Sequence, residues 1–451
     1  MKPVKAGGAK GLAYIRILLK RNNYQTGVEV IKMEQKNIRE LAKKHEKLQT
    51  LMHFVNYETL KNEHEKQSEK KAVGVDGIAK MEYSKDLNNN LNKLLIRMKK
   101  FQYKPKPVRR VEIPKLGSDK KRPLGIPSYE DKLVQGCMAN VLNSIYETKF
   151  LNMSYGFRPN KNCHQAISKV NNIIQHEKIN FVLDADIKGF FDNLNHEWLM
   201  KFLANDIQDK NFLFYIERFL KSGIMKELKF EETDKGTPQG GLVSPVLANV
   251  YLHYVLDLWF KVEIKPKLKG KAYIIRYADD FVILCQYEEE AYQIYEVLKK
   301  RLNKFNLEVA EDKTRIIPFG KIIGNTKTFD FLGFTFMNGK TRNGKYMVQL
   351  KISKKKKKAK KKNIKQFIKE NMHMDMAKLI DKINKRIVGL YAYYGVNGMY
   401  SELANIYNYT RYRLFKTLNR RGQKKMNIEK YNLILERIPI KRPKIYVQIW
   451  A

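Results

Sequence analysis

The sequence has little cysteine, no long apolar run and far fewer acidic than basic residues. Its three cysteines, Cys137, Cys163 and Cys285, lie far apart, so they form neither a zinc-binding pattern nor a disulfide framework. No uninterrupted apolar segment is long enough to span a bilayer. The N-terminus lacks a signal-like apolar core followed by a small-residue cleavage site. These absences argue against a disulfide-rich secreted domain and a membrane-spanning protein, and they favour an intracellular, reduced one.

Basic residues greatly outnumber acidic ones. The 88 Lys and Arg residues against 46 Asp and Glu give a net charge of +42. An excess of this size predicts a polyanionic partner, and nucleic acid is the leading class. A membrane surface is the rival, less favoured because the basic residues are spread over several segments. The hydrophobic share of 43% is that of a globular protein, and 451 residues predict two or three domains.

Two apolar runs flank a pair of aspartates in the segment from Lys271 to Cys285. The runs are rich in Ile, Val, Tyr and Phe, which favour strands. Asp279 and Asp280 occupy the bend between them, where Asp is tolerated. The pattern predicts a tight hairpin that presents adjacent carboxylates, the hard oxygen ligands that Mg²⁺ prefers. The four letters Tyr-Ala-Asp-Asp are also typical of an ordinary Asp turn, so the rest of the chain decides.

A second acidic segment, residues 180–187, has the pattern of a strand. A period of two places Asp184 and Asp186 on one face and the apolar residues on the other. Carboxylates on a strand with apolar flanks need a partner or a metal. Just downstream, Asn195 is predicted to cap a helix. His196 is predicted to be structural, because no nucleophile accompanies it.

Residues 103–127 predict a basic β-hairpin. Lys115 and Arg122 lie close to its turn, where they could fold over a triphosphate; a plain solvated strand pair is the alternative. A polar loop, residues 236–241, then precedes a buried helix with Ser244 as its predicted N-cap. Further helices are predicted over residues 37–68, 84–100, 131–149, 288–305 and 375–419.

The downstream part of the chain is rich in lysine and tyrosine. Its lysine run is interpreted either as an RNA-facing segment or as a solvated helix face. The tyrosines of residues 375–419, interleaved with arginine, can stack on bases, but most are predicted to pack a helical bundle. The lysine run consists of Lys354, Lys355, Lys356, Lys357, Lys358, Lys360, Lys361 and Lys362.

Taken in the order in which they follow one another along the chain, these segments resemble the palm of reverse transcriptases. The resemblance is closer to the reverse transcriptases (maturases) encoded by bacterial group II introns, of the type without an endonuclease domain. In the downstream segment from Arg386 to Tyr394 the match is looser, because Leu390 stands where the maturase pattern has Trp. The matching segments, which cover residues from about 74 to 334, are Gly74-Val-Asp-Gly77, Arg122-Pro-Leu-Gly-Ile-Pro127, Tyr155-Gly-Phe-Arg-Pro159, Asp186-Ile-Lys-Gly-Phe-Phe-Asp192, Thr237-Pro-Gln-Gly-Gly241 with Ser244-Pro245, Arg276-Tyr-Ala-Asp-Asp280 and Phe331-Leu-Gly-Phe334.

The resemblance implies an α+β protein with right-hand polymerase architecture. Fingers and an antiparallel palm with the Asp-Asp hairpin would be followed by a helical thumb. The implied segments are a poorly constrained basic N-terminal extension (1–32), an N-terminal extension with fingers (33–180), the palm (181–340), the helical thumb or maturase domain (341–425) and a basic C-terminal tail (426–451).

The resemblance also implies the metal site. Asp186, Asp279 and Asp280 would be the catalytic carboxylates that bind two Mg²⁺ ions, for which Mn²⁺ can substitute. The carbonyl of Ile187 would complete the shell of one ion. Asp184 is the rival of Asp186, which is preferred because Ile-Lys-Gly-Phe-Phe follows it.

Nucleotide and primer contacts are implied in the same way. Phe191 resembles the steric gate, whose ring would clash with a ribose 2′-hydroxyl and select deoxynucleotides. Lys313 is expected either near the leaving pyrophosphate or as a structural turn residue. The residues implied to bind the nucleotide are Lys115, Arg122, Ile187, Phe191, Gln239 and Lys313, and those implied to contact the primer are Phe331, Leu332 and Gly333.

The implied function is RNA-directed DNA synthesis, coupled to binding of the parent group II intron RNA and help with its splicing and mobility. The implied partners are that RNA, an RNA template with a DNA primer, target DNA and dNTPs, in the bacterial cytoplasm and without a membrane. Two alternatives stay open: a splicing-only RNA-binding maturase, and a domesticated reverse transcriptase serving repair or phage defence.

Overall fold

The computed structural model describes residues 29, 32–114, 121–226, 229–231, 235–237, 240–323, 327–420 and 425–449. Lys115, Gln239 and nearly all of the N-terminal extension over 1–32 lie outside the described residues, so their predicted roles stay predictions. Within the described ranges, no helix combines the length and the apolar character needed to cross a membrane.

Helices make up most of the regular structure, and the strands are short. The helices are α1 (residues 32–44), α2 (Tyr57–Lys66), α3 (Lys80–Tyr83), α4 (Leu87–Lys99), α5 (Tyr129–Tyr146), α6 (Cys163–His176), α7 (Phe190–Asn193), α8 (His196–Asp206), α9 (Lys210–Leu220), α10 (Ser244–Leu252), α11 (Glu288–Lys304), α12 (Lys354–Glu370), α13 (Met376–Tyr394), α14 (Tyr400–Leu418) and α15 (Ile428–Arg437). The strands are β1 (Val108–Pro114), β2 (Lys121–Ile126), β3 (Phe181–Asp186), β4 (Ile224–Lys226), β5 (Lys229–Glu231), β6 (Ala272–Tyr277), β7 (Asp280–Cys285), β8 (Arg315–Pro318), β9 (Thr328–Phe331), β10 (Phe334–Lys340) and β11 (Tyr346–Ile352).

The strands form three sheets, with the orders β2-β1-β4-β5, β6-β7-β3-β8 and β11-β10-β9. Neighbouring strands run antiparallel, except that β1 pairs with β4 in parallel. Helices and antiparallel sheets are therefore combined without the alternating βαβ pattern of a parallel fold. This confirms the predicted α+β class.

The sheet that carries the aspartates is buried on both faces. On one face, Leu183 and Phe281 belong to a hydrophobic core that we call the first core. On the other face, Val182 and Val282 belong to the second core. Alternation along β3 follows from the period of two, because successive side chains point to opposite faces. The predicted division of β3 is confirmed, since its apolar residues after Val182 are buried in the first core. The acidic residues therefore lie where the second core ends.

Two predicted helices are each broken in two. The segment 37–68 divides into α1 and α2, because Asn56 caps α2 in a reciprocal capping box with Thr59. The segment 375–419 divides at Gly395, where α13 ends. A Cβ at Gly395 would lie 2.7 Å from the carbonyl oxygen of Lys444, so the glycine permits the C-terminal segment to approach.

The second core joins the sheets to the C-terminal helices. β10 and β11 form a hairpin across the predicted boundary at 340/341, so the helical region begins only at α12. The predicted tail also contributes to this core, since Tyr431, Ile440 and Ile449 are buried in it. Within the described residues, 425–449 therefore pack as part of the fold rather than as a separate tail.

Candidate active site

The turn between β6 and β7 presents Asp279, and the strand register brings a second and a third carboxylate beside it. Tyr277 pairs with Asp280, which leaves Ala278 and Asp279 as the two turn residues. Ala278 has a φ of 58°, the left-handed conformation that such tight turns require. Asp280 begins β7 and lies directly opposite Asp186, the last residue of β3. The register thus places Asp186 and the adjacent pair Asp279 and Asp280, about 90 residues further along the chain, at the same end of one sheet.

Burial and the repulsion of neighbouring carboxylates raise the pKa values of Asp184, Asp279 and Asp280. Burial, reinforced by Asp184, Asp186 and Asp279, raises the pKa of Asp280 to about 7. Burial also raises the pKa of Asp184 to about 7, and the pKa of Asp279 is raised for the same reason. Like charges held together in a half-buried site favour the neutral form. A cation bound among them would relieve that repulsion.

Lys313 reaches Asp186 from the turn that follows α11. Its Nζ lies 2.5 Å from Asp186 Oδ2 in an ion pair whose side chains are 57% and 33% exposed. The turn is fixed to the same residue, because the N–H of Ala310 donates to the carbonyl of Asp186 at 2.8 Å. Asp186 in turn raises the pKa of Lys313. The predicted nucleotide-binding lysine is thus in contact with the predicted metal ligand.

The donor set suits a hard divalent cation, although its members are not drawn together. In the part of the chain that the structure describes, no three or more His, Cys, Asp or Glu side chains converge closely enough to hold a metal ion. Like charges repel one another, and Lys313 holds one carboxylate of the three. The oxygen chemistry of Asp186, Asp279 and Asp280 nevertheless matches Mg²⁺. Ile187 follows Asp186, and its side chain is buried at 2% exposure.

Phe191 lies on α7 beside this site. Gly189 has a φ of 55° and turns the chain from β3 into that helix. The carbonyl of Phe191 accepts a hydrogen bond from the N–H of Thr237 at 2.8 Å. His196 Nε2 donates to the carbonyl of Gly236 at 2.6 Å, which supports the structural role predicted for this histidine. Phe191 is therefore fixed against the loop that leads to Gln239.

Two capping predictions have different outcomes. Asn195 caps α8, since its side chain accepts from the N–H of Trp198 at 2.9 Å, as predicted. Ser244 is not the N-cap of α10; the cap position is Val243. The Ser244 hydroxyl instead accepts a hydrogen bond from the hydroxyl of Thr237 at 2.7 Å. That bond ties the loop to the helix.

The basic hairpin β1–β2 faces the same region. Arg122 is exposed near the end of the hairpin, opposite Ile113. Its positive charge lowers the pKa of Asp279 against the larger effect of burial, so the guanidinium acts on the turn. Gly240 has a φ of 123°, and a Cβ there would lie 2.4 Å from the carbonyl oxygen of Gly125. Glycine is required at that contact between loop and hairpin.

A buried polar cluster beneath the turn was not anticipated. Arg276 forms a bidentate ion pair with Asp257, at 2.8 and 2.5 Å, and both side chains are 0% exposed. The same guanidinium donates to the carbonyl of Ala278 at 3.0 Å and to the side chain of Asn249 at 3.1 Å. Asn249 lies on α10, and Asp257 lies on the π-helical turn His253–Asp257 that continues it. In the sequence, this cluster is indicated by Asn249 and Asp257, two polar residues eight positions apart on a helix that is otherwise largely apolar.

The predicted primer-contacting turn rests on α13. Leu332 and Gly333 have φ values of 51° and 80°. The hydroxyl of Tyr393 donates to the carbonyl of Leu332 at 2.8 Å. A Cβ at Gly333 would lie 3.0 Å from the hydroxyl of Tyr394. Phe331 is buried in the second core. Of the three residues predicted to contact the primer, Leu332 and Gly333 are therefore the two that are partly exposed.

The lysine run forms the first turns of α12 and divides into two sets. Lys357 pairs with Glu402 at 3.0 Å, and Lys361 donates to the side chain of Asn405 at 2.7 Å. Lys361 also lies 4.9 Å from the ring centre of Tyr409. These two lysines, four residues apart, hold α12 against α14. Lys360 is half-buried, and the exposed members are Lys354, Lys355, Lys356, Lys358 and Lys362.

Comparison with known proteins gives consistent relatives. The family model described as reverse transcriptase (RNA-dependent DNA polymerase) matches residues 113–336, which include β3, β6 and β7. The group II intron-encoded protein LtrA of Lactococcus lactis is 35% identical over 283 residues, covering 50% of this chain and 47% of that protein. Protein YkfC of Escherichia coli K12 is 31% identical over 320 residues, covering 63% and 80%. The chain thus spans about half the length of LtrA and most of YkfC.

Proposed function

This chain belongs to the reverse transcriptase (RNA-dependent DNA polymerase) family, and we propose that it extends a primer 3′-hydroxyl with dNTPs on an RNA template. The observation that supports this most is the register of β3 against β7, with Asp186 opposite Asp280 and Asp279 in the adjoining turn. Family membership alone would leave the site open, because function resides in particular side chains.

Asp186, Asp279, Asp280 and the carbonyl of Ile187 would hold two Mg²⁺ ions at the proposed site. Bound ions supply stabilisation of the entering and leaving oxygens in such a transfer. The chain's own residues bring the substrates to that point. Lys313 contacts Asp186 and is suitably placed to neutralise charge on the leaving pyrophosphate.

Nucleotide binding is assigned to the basic hairpin, the loop before α10 and α7. The planar guanidinium of Arg122 would donate two hydrogen bonds to the triphosphate. The ammonium of Lys115 would attract the triphosphate as a compact positive charge. Gln239 would contact the incoming nucleotide. Phe191 would exclude a ribose 2′-hydroxyl. In the proposed right-hand architecture, β1–β2 belongs to the fingers, the sheet β6-β7-β3-β8 is the palm, and α12 to α15 form the thumb.

The proposed RNA partner is a group II intron, whose splicing and mobility the protein would assist. The net charge of +42 and the similarity to a group II intron-encoded protein support this proposal. The exposed lysines of α12 offer phosphate contacts. Target DNA is the further proposed partner, in the bacterial cytoplasm or on the nucleoid.

Extension of a DNA primer on an RNA template, with dNTPs and Mg²⁺, tests the proposal. The parent should synthesise DNA, and Asp279→Asn should lose at least 1000-fold, about 4 kcal/mol of transition-state stabilisation. Asp381→Asn, an exposed aspartate on α13, is the matched control and should act like the parent. A folded parent that binds intron RNA and never extends the primer would instead support the splicing-only maturase.

A further inference from the structure

Phe157 has an unusual combination of backbone and surface properties. Its φ is 58°, in the left-handed region that non-glycine residues rarely adopt. Its side chain is 49% exposed, although an aromatic ring gains most from burial. Backbone outliers of this kind cluster at functional sites. Phe101 shares both properties, with a φ of 56° and 43% exposure, so the neighbours of the Phe157 ring are what distinguish it.

The residues on both sides of Phe157 are firmly held. The N–H of Tyr155 donates to the carbonyl of Arg276 at 2.9 Å. The carbonyl of Gly156 accepts from the side chain of Asn249 at 2.7 Å, and a Cβ at Gly156 would lie 2.3 Å from the backbone nitrogen of Ala278. The loop is therefore pressed against the backbone of the Asp-Asp turn.

Arg158 holds the other side of the loop. Its guanidinium is buried and forms a bidentate pair with Glu147, at 2.9 Å for each bond. The same group donates to the carbonyls of Leu151 and Ser154 at 2.7 and 2.8 Å. Because its neighbours are fixed on both sides, the conformation of Phe157 is imposed by the fold, and its ring has a defined position.

That position is beside Phe191. The ring centres of Phe157 and Phe191 are 6.3 Å apart, and the ring planes are 78° from each other. Two rings that meet edge to face form an apolar corner. The corner lies between α7 and the turn that carries Asp279. A hydroxyl held there would lose its hydrogen bonds to water without gaining a partner, which is costly.

We propose that Phe157 is a second specificity-determining residue, whose ring lines the sugar of the incoming nucleotide together with Phe191. The ligand class is a 2′-deoxynucleoside triphosphate, which presents only a C–H₂ group to the corner. This inference rests on the proposed polymerase function and adds a residue to its nucleotide site. Phe157 acts by contact with the sugar and takes no part in proton or phosphoryl transfer.

The test replaces the ring without disturbing the backbone. Phe157→Gly removes the ring at a φ that glycine adopts freely. Phe101→Gly is the matched control, because Phe101 has a φ of 56°, is 43% exposed and packs on Phe214 of α9. Single-nucleotide addition of dGTP and of GTP to a DNA primer on an RNA template gives the ratio of the two kcat/KM values.

Phe157→Gly should lower the preference for dGTP about tenfold, a size typical of one lost contact in an apolar pocket. Phe101→Gly should leave the ratio at the parental value. The same order should appear in the affinities of dGTP and GTP for enzyme bound to a dideoxy-terminated primer, where no chemistry occurs. Thermal unfolding of both variants checks that they fold alike, and Phe157→Asn, which also tolerates a positive φ, repeats the test.

An unchanged ratio in a folded Phe157→Gly would overturn the inference and leave the polymerase intact. Equal loss of dGTP and GTP addition would also overturn it, because the ring would then serve the primer or template. A parent that adds neither nucleotide would remove the proposed function, and this inference with it.

Discussion

Two ion pairs lie on opposite sides of the Asp-Asp turn, with similar distances and opposite exposures. Beneath the turn, Arg276 and Asp257 are 2.5 Å apart and 0% exposed. At its active face, Lys313 and Asp186 are also 2.5 Å apart, at 57% and 33% exposure. A buried pair cannot lose one partner cheaply, whereas an exposed pair contributes little and breaks easily. The buried pair of Arg276 and Asp257 therefore suits a permanent support of the turn. The exposed pair of Lys313 and Asp186 suits a contact that changes during turnover.

Removing one partner of the buried pair should have the largest effect on stability. Asp257→Ala leaves the Arg276 guanidinium buried without its counter-charge, so the free energy of unfolding should fall by about 3–5 kcal/mol. Denaturation by urea measures this loss. Glu263→Ala on the same helical segment is the control, because Glu263 is an exposed partner of Arg301 at 3.6 Å. A loss below about 1 kcal/mol in Asp257→Ala would mean that burial does not distinguish the two pairs.

Acid should weaken the buried side of the turn through His253. Burial lowers the pKa of His253 to about 4, opposed by Asp257 and Asp206 and assisted by Arg276 and Arg158. The pKa of His253 in the folded protein lies below the ordinary value of about 6.5. The neutral imidazole therefore makes its full contribution to the free energy of unfolding above pH 6.5, and that contribution is lost as the pH falls towards 4. That loss should reach about 3 kcal/mol.

The measurement is the free energy of unfolding in urea at pH 7, 5 and 4. His253→Gln should lose less stability than the parent over this range, because it lacks the titrating group. Parallel curves for the parent and His253→Gln would show that this histidine does not link the fold to pH.

The exposed pair should matter for turnover and little for folding. Lys313→Ala should change the free energy of unfolding by less than about 1 kcal/mol. Under the proposed function, its kcat for dNTP addition should fall about tenfold or more, because a cation near the leaving pyrophosphate is lost. Lys385→Ala, which breaks an exposed pair with Asp381 on α13, serves as the control. A large loss of stability with unchanged kcat would make Lys313 a structural turn residue.

The same contrast between held and exposed cations applies to α12, with smaller effects. The double variant Lys356→Ala, Lys358→Ala should bind RNA more weakly. The slope of log K against the logarithm of the salt concentration should become shallower by roughly 1.5–2, as expected for the loss of two phosphate contacts. Lys357→Ala with Lys361→Ala should chiefly reduce stability, by about 1 kcal/mol, because these two lysines contact α14. Filter binding at several salt concentrations and thermal unfolding separate the two pairs. Identical salt slopes would contradict the division of the run.

Local patterns predicted the elements that carry the site, because the strand period acts within a few residues. Alternation alone indicated that Asp184 and Asp186 share a face of β3. Patterns could not predict contacts made by distant residues. The ion pair of Arg276 joins a strand to a helix, and the break at Gly395 depends on the approach of the C-terminal segment. Positive φ at Phe157 also depends on tertiary contacts, since nothing in its own letters requires it.

The most direct test compares Asp186→Asn with Asp184→Asn in RNA-templated primer extension. The two residues lie on the same face of β3, and only Asp186 lies opposite Asp280. If the register defines the catalytic site, Asp186→Asn should lose extension by at least about 1000-fold, while Asp184→Asn should keep most of it. Retained synthesis in Asp186→Asn, with loss in Asp184→Asn, would contradict the assignment on which the proposed mechanism rests.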